Sequence, residues 1–183
     1  MLVEIRWHGR GGQGVVTAGR ILAEAALLDG KYIQAFPEFG PERTGAPVRS
    51  FTRISDKPIN LHSQIYNPDV VAVIDPTVLS PEVYRDIKMS GKLIVNSNRA
   101  PEELAGDIGC GSLKLYTVNA IRIALDILGR PIYNTPIIGA LIKATGVASL
   151  DSVIKAVSQR FLSTLAERNI KAIVRAYDEV KGS

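Results

Sequence analysis

The sequence predicts an α/β fold: an open, mostly parallel sheet with flanking helices and a helical segment at its C-terminal end. Three observations predict it. Short β-branched runs alternate with stretches of helical apolar spacing over residues 1–129, the order that builds parallel sheets. The run Val70-Val71-Ala72-Val73-Ile74 is apolar without interruption, as in a strand buried on both faces. Beyond Gly129 the pattern turns wholly helical, so residues 130–183 read as C-terminal helices of the same domain.

Residues 3–7 alternate apolar and charged side chains and then stop at Gly9-Arg10-Gly11-Gly12-Gln13-Gly14, a first strand and a Gly-rich turn. Val15–Leu28 carries Val15, Ile21, Leu22, Ala25 and Leu28 at helical spacing and closes on Asp29-Gly30, a helix with a C-terminal glycine. Residues 31–36 form a second short strand and complete a βαβ opening. Residues 37–47 hold three prolines and two glycines and form a loop. Residues 48–54 alternate again and read as a strand, followed by a turn at Ser55-Asp56-Lys57-Pro58. Ser80-Pro81-Glu82 opens a helix with Ser as cap and Pro in the first turn. Lys92–Asn96 and residues 113–118 are further strands, and Asn119 caps a helix to Leu128. Helices follow at 135–145, 150–165 and 169–180. In the second of these, Val153, Ile154, Val157, Phe161, Leu162 and Leu165 form one apolar face; in the third, Ile170, Ile173, Val174, Tyr177 and Val180 do. Ligands of such sheets bind beyond the carboxyl ends of the strands, which puts the Gly-rich turn, Asp75-Pro76-Thr77, Asn96-Ser97-Asn98 and Asn119 on one rim.

Composition narrows the function. The chain has 183 residues, 46% hydrophobic and 22% charged, values ordinary for a globular protein. Net charge is +4, but Lys and Arg are scattered among acids, which describes a solvated mixed surface and not a nucleic-acid patch. Cys110 is the one cysteine, so no internal disulfide forms. An iron–sulfur cluster needs about four protein ligands, so any redox centre is expected on another chain. Lone-cysteine usage fits a reduced compartment. Neither a signal-peptide stretch nor a membrane span is apparent, and the cytoplasm is the expected location.

Two segments carry chemistry. In the first, Gly9, Gly11 and Gly14 match the Rossmann-like G-x-G-x-x-G pattern. Glycines let backbone N–H groups approach an anion, and the helix that follows aims its positive end at the same place. Arg10 can add a charge-assisted contact. Two readings stay open: an anion cradle, or a tight turn that packs helix on sheet. The acid that binds the ribose of a dinucleotide is missing after the second strand, where Ala35-Phe36-Pro37 stands, so an independent NAD or FAD enzyme is disfavoured. The second segment runs from Phe36 to Pro47. Its prolines pre-organise it, and its exposed Phe residues point to a contact loop. Glu38, Phe39, Glu42, Arg43 and Thr44 are its candidate contacts.

No acid/base team accompanies them. His8 and His62 are the two histidines, and neither has Cys, Asp or Glu at metal-ligand spacing. Asp75 reads as a cap, Ser97 and Ser112 lie outside any nucleophile elbow, and Cys110 sits between two glycines as a small filler. A binding-type fold without catalytic residues looks like a component of something larger. A stand-alone nucleotide-binding regulatory module is the rival reading.

The stretch from Ile5 to Gly14, taken with Pro37 to Val48, closely resembles the γ subunit of pyruvate and 2-oxoisovalerate ferredoxin oxidoreductases. Phe51-Thr52-Arg53-Ile54, Ser63-Gln64-Ile65-Tyr66, Pro68-Asp69, Asp75-Pro76-Thr77, Asn134-Thr135-Pro136-Ile137-Ile138-Gly139-Ala140 and Asn169 with Ala172 extend the resemblance along the chain. It implies a hetero-oligomer with alpha, beta and delta-type subunits. Such a complex converts a 2-oxoacid and coenzyme A to acyl-CoA and carbon dioxide and reduces ferredoxin. Pyruvate is the first expectation and a branched-chain 2-oxoacid the second. Thiamine diphosphate, Mg2+ and 4Fe-4S clusters are implied on partner chains, with no catalytic residue and no metal on this one. By the same resemblance the γ subunit helps form the coenzyme A side of the site and the isolated chain is expected to be inactive; the anion-ready turn then makes Gly9, Arg10, Gly11, Gly12, Gln13 and Gly14 the candidate contacts to a coenzyme A phosphate.

Overall fold

The computed structural model describes residues 1–38, 44–109 and 113–182. The sheet has seven strands: β1 (Leu2–Arg10), β2 (Tyr32–Pro37), β3 (Pro47–Ser55), β4 (Val70–Val73), β5 (Lys92–Asn96), β6 (Lys114–Val118) and β7 (Lys181–Gly182). Their order across the sheet is β2-β3-β1-β4-β5-β6-β7. β1, β4, β5 and β6 are mutually parallel. β3 runs antiparallel between β1 and β2, and β7 antiparallel at the far edge. The sheet is therefore mixed but mostly parallel.

The expected βαβ opening exists with one change. Helix α1 (Val15–Leu28) does carry the chain from β1 to a parallel β2, but β3 lies between them. Connectors link β1 leftward to β2 and β3, and β4 rightward to β5 and β6. The direction of winding thus reverses between β1 and β4, and open sheets form a crevice at that point.

Alternation along the central strands explains the two-sided burial. Val70, Ala72, Ile74 and Ile94 point into a large core beneath α1, α4 (Ala120–Leu128), α5 (Asn134–Thr145), α6 (Leu150–Arg160) and α7 (Ser163–Glu179). Val71, Val73, Leu93, Val95 and Leu115 face a smaller core under α2 (Pro81–Tyr84) and α3 (Pro101–Ile108). Burial at about 25 cal/mol per Å² makes these two layers the main support of the sheet.

Several expectations need correction. The stretch 150–165 is not one helix. α6 ends at Arg160, Phe161 is extended, and α7 begins at Ser163 instead of Asn169. At about 100° per residue, the buried face of α6 (Ser152, Val153, Ala156, Val157) and that of α7 (Ala166, Asn169, Ala172, Ile173, Ala176) would lie on roughly opposite sides of a continuous helix. The break lets both faces meet the core. Leu162, assigned to an apolar face, is instead 87% exposed. Pro37 and Pro47 belong to strands; Pro37 is tolerated because β2 is an edge. Phe36 is not a free liability, because its ring lies 5.2 Å from that of Phe51.

Nor are all charges superficial. Arg6, 3% exposed, donates to the Asp86 carboxylate, to the carbonyls of Tyr66 and Val83, and to His8 Nε2. Arg53, 1% exposed, donates to Glu4, Gln34 Oε1 and the Gln64 carbonyl. These two arginines fasten the irregular connector between β3 and β4 to the sheet. Satisfying each guanidinium with several acceptors offsets the cost of burying its charge.

Candidate functional site at the strand-order reversal

The crevice between the ends of β1 and β4 is where the chemistry-bearing segments meet. β1 runs out at Arg10, and the turn that follows places Gly14 in the left-handed region at φ 74°, as N-cap of α1. No side chain would fit at Gly14. A Cβ there would stand 2.4 Å from Asn134 Nδ2, which itself donates to the Gly14 carbonyl at 3.2 Å. The N-terminal ends of α1 and α5 are therefore adjacent.

Gln13 is the hub. Its Oε1 accepts from the Arg10 N–H at 2.7 Å, while its Nε2 donates to Asp75 and, at 3.1 Å, to the Tyr133 hydroxyl. Asp75, beyond the end of β4, also accepts from the Thr77 N–H and hydroxyl at 2.9 and 2.7 Å. That confirms its capping role, at a short 3-10 turn over Pro76–Val78. Burial pushes the Asp75 carboxyl up, but the bonds from Gln13 and Thr77 and the nearby Arg10 charge outweigh it and leave the pKa below the ordinary value. Asp75 is thus an anion at neutral pH and a weak base.

Arg10 is held on both sides. Its Nε donates to Thr77 Oγ1 at 2.8 Å, its Nη1 to the Gly45 carbonyl at 3.0 Å, and Asp75 lies 3.8 Å away. The cradle is accordingly less positive than the sequence implies. Two of its amides are also spent: Gly11 N–H on the Ala46 carbonyl and Gln13 N–H on the Arg10 carbonyl. The amides of Gly12 and Gly14 remain as candidates. Gly12, at φ 91°, has open space above it, with only Thr44 Cγ2 near, at 3.9 Å from a built Cβ.

The same bonds join the two segments picked out from sequence. Gly45 N–H donates to the Gly11 carbonyl at 3.1 Å, so the far end of the Pro-rich loop is laced to the Gly-rich turn. Thr44 is exposed beside it, and Glu38 is drawn back to β3 by a two-pronged ion pair with Arg49. Phe39, Glu42 and Arg43 lie outside the described residues, as do Cys110 and Ser112.

His8 does not join the site. It is buried in β1, and burial, helped by the charges of Arg6 and Arg49, lowers its pKa to about 3. A neutral imidazole pointed at Arg6 offers no charge to a phosphate. Tyr133 was missed from sequence because it lies 120 residues from its partner Gln13. The dinucleotide arrangement is also absent. It needs the second strand beside the first, and here β3 fills that place. Among the described residues, no group of three or more His, Cys, Asp or Glu could hold a metal ion, and no helix is long and apolar enough to cross a membrane.

Similarity to known proteins is consistent with this picture. The family model for pyruvate ferredoxin/flavodoxin oxidoreductase matches residues 4–179. The chain is 51% identical over 179 residues to the common gamma subunit of pyruvate/ketoisovalerate oxidoreductases of Thermococcus litoralis, covering 97% of each. It is 50% identical over 180 residues to the pyruvate synthase subunit PorC of Methanocaldococcus jannaschii, covering 98% of this chain and 97% of that one. The crystal structure of the PORC subunit of Thermotoga maritima pyruvate oxidoreductase superposes with a TM-score of 0.90 at 44% identity, over 100% of this chain and 98% of that one. A mixed sheet with its glycine turn at the strand-order reversal, and end-to-end similarity to gamma chains, place this protein in the pyruvate ferredoxin/flavodoxin oxidoreductase family as a gamma-type subunit.

Proposed function

We propose that this chain is the γ subunit of a cytoplasmic, pyruvate-type complex, and that it supplies the coenzyme A side of the site without catalysing a step itself. The observation that carries the reading is the lacing of the Pro-rich loop to the Gly-rich turn at the β1/β4 crevice. One surface can then face both a partner chain and an anionic substrate. The Gly12 and Gly14 amides, the α1 N-terminus and the remaining edge of Arg10 would receive a coenzyme A phosphate. Glu38, Phe39, Glu42, Arg43 and Thr44 would dock on the thiamine-binding chains. Thiamine diphosphate, Mg2+ and 4Fe-4S clusters would reside on alpha, beta and delta-type partners, with ferredoxin as acceptor.

One relative is named as a gamma chain common to pyruvate and ketoisovalerate oxidoreductases. On our reading the choice of 2-oxoacid accordingly lies with the partner chains, and a branched-chain substrate is the alternative. We read residues 1–183 as one domain, since the C-terminal helices share a core with the sheet.

The test is Arg10→Ala in the intact complex, purified with its partner chains. A charge-assisted hydrogen bond contributes about 1.5–3 kcal/mol, and the nearby Asp75 places this one at the low end. The apparent affinity for coenzyme A should fall roughly tenfold, with the KM for the 2-oxoacid unchanged. Unaltered coenzyme A affinity would remove Arg10 from the site.

A further inference from the structure

Resting on that reading, we infer that the Tyr133 hydroxyl is a hydrogen-bond donor to an oxygen of coenzyme A, a binding residue at the N-cap of α5 that completes the Gly-rich turn.

The Gln13 amide carries the argument. An amide can be flipped without changing its shape, so its orientation must be read from its neighbours. Here they leave one choice. The Arg10 N–H can only donate, so it must meet Gln13 Oε1, and the ionised Asp75 can only accept, so it must meet Nε2. The second Nε2 hydrogen then points at Tyr133, 3.1 Å away, and the tyrosine oxygen is the acceptor. The Tyr133 hydrogen cannot return to Gln13, and no described residue accepts it. The residue is half-buried, its ring packs against the core and Gln13 holds its oxygen in place, so the O–H has a fixed origin.

A second observation marks the same junction. Asn134, the next residue, spends its Nδ2 on the Gly14 carbonyl, while its Oδ1 is buried without a partner. Among the described residues it is the one buried side-chain nitrogen or oxygen in that state. Two adjacent residues with unspent hydrogen-bonding capacity, each tied to the Gly-rich turn, distinguish this junction from the rest of the rim. Burial and the nearby Asp75 raise the Tyr133 pKa, so the hydroxyl keeps its proton at neutral pH.

Phosphate oxygens and the carbonyls of the pantetheine arm are both acceptors a phenol can serve, and the experiment separates them. Tyr133→Phe, in the complete complex, deletes the proton and keeps the ring. We expect the KM for coenzyme A to rise roughly tenfold, with the KM for 2-oxoacid and for ferredoxin unchanged. If the increase persists with dephospho-coenzyme A, the acceptor is a diphosphate or pantetheine oxygen; if it vanishes there, the acceptor is the 3′-phosphate. Either result upholds the donor. An unchanged coenzyme A KM in Tyr133→Phe, beside a raised one in Arg10→Ala, overturns this inference and spares the wider reading. No change in either variant overturns both. If the Phe variant assembles poorly, 3-fluorotyrosine at position 133 keeps the hydroxyl and strengthens it as a donor. The coenzyme A KM should then fall, and an unchanged value would reject the role.

Discussion

Gly139 sits in α5 where the helix passes α7, and replacing it with alanine sets two effects against each other. Alanine is preferred to glycine inside a helix by about 0.8–1 kcal/mol. The added Cβ, however, would lie 2.2 Å from the Ile173 carbonyl oxygen, 3.0 Å from its carbon and 3.1 Å from the Tyr177 nitrogen. These are backbone atoms of α7, which no rotamer change can move. The helices must part by about 1 Å, and a gap of that size forfeits a quarter to a half of each dispersion contact it crosses. The contacts at stake include the fully buried Ile138, Leu141, Ala172, Ile173 and Ala176. Overpacking of this kind costs about 1–3 kcal/mol, and the backbone obstacle puts it at or above the upper end. Net destabilisation should be about 2–3 kcal/mol, or roughly 5–10 °C in Tm for a chain of this size. Gly106→Ala in α3 is the control, because a Cβ there meets nothing within 4 Å. It should stabilise by about 0.4–1 kcal/mol. Urea unfolding of both variants, followed by circular dichroism, reads the two signs. Equal or greater stability of Gly139→Ala would mean that α5 and α7 do not approach this closely.

Two further outcomes follow from the buried charges. Asp86→Ala strands the guanidinium of Arg6; removing one partner of a fully buried pair costs about 3–5 kcal/mol. The Asp86 side chain is still 35% exposed, so about 2–3 kcal/mol should appear as a lower urea midpoint, and an unmoved midpoint would mean that water already screens the pair. For His8, the folded-state pKa of about 3 lies below the unfolded value near 6.5. Between those pH values the unfolded chain holds a proton that the folded chain refuses. Acidification through that window should therefore lower stability by up to about 1.4 kcal/mol per pH unit. His8→Gln should flatten that slope, and an equally steep slope in the variant would assign it to other groups.

Much of the fold was readable along the chain because its signals are local. The alternation in β1, the apolar run of β4, the glycine that closes α1 and the Asn119 cap of α4, which accepts from the Arg122 N–H at 3.0 Å, all act within a few residues. What stayed hidden depends on distant partners. The strand at 48–54 was expected, but its insertion between β1 and β2 comes from pairing across some 45 positions. The break after Arg160 carries no proline or glycine; it exists because two apolar faces point in opposite directions. Arg6 and Arg53 looked like ordinary surface charges, and only their acceptors on remote segments explain their burial. At the site, the glycine turn and the proline loop were both visible as segments, whereas their union and the Gln13–Tyr133 hydrogen bond required the folded chain.

On the proposed function, the Gly-rich turn and the adjoining loop end together receive coenzyme A. Amide hydrogen exchange of the intact complex, with and without coenzyme A, measures it directly. Exchange should slow over residues 11–16 and 44–47 when coenzyme A is added, with the exterior of α7 unaffected. Protection confined to partner chains, with those two segments unchanged, would contradict it.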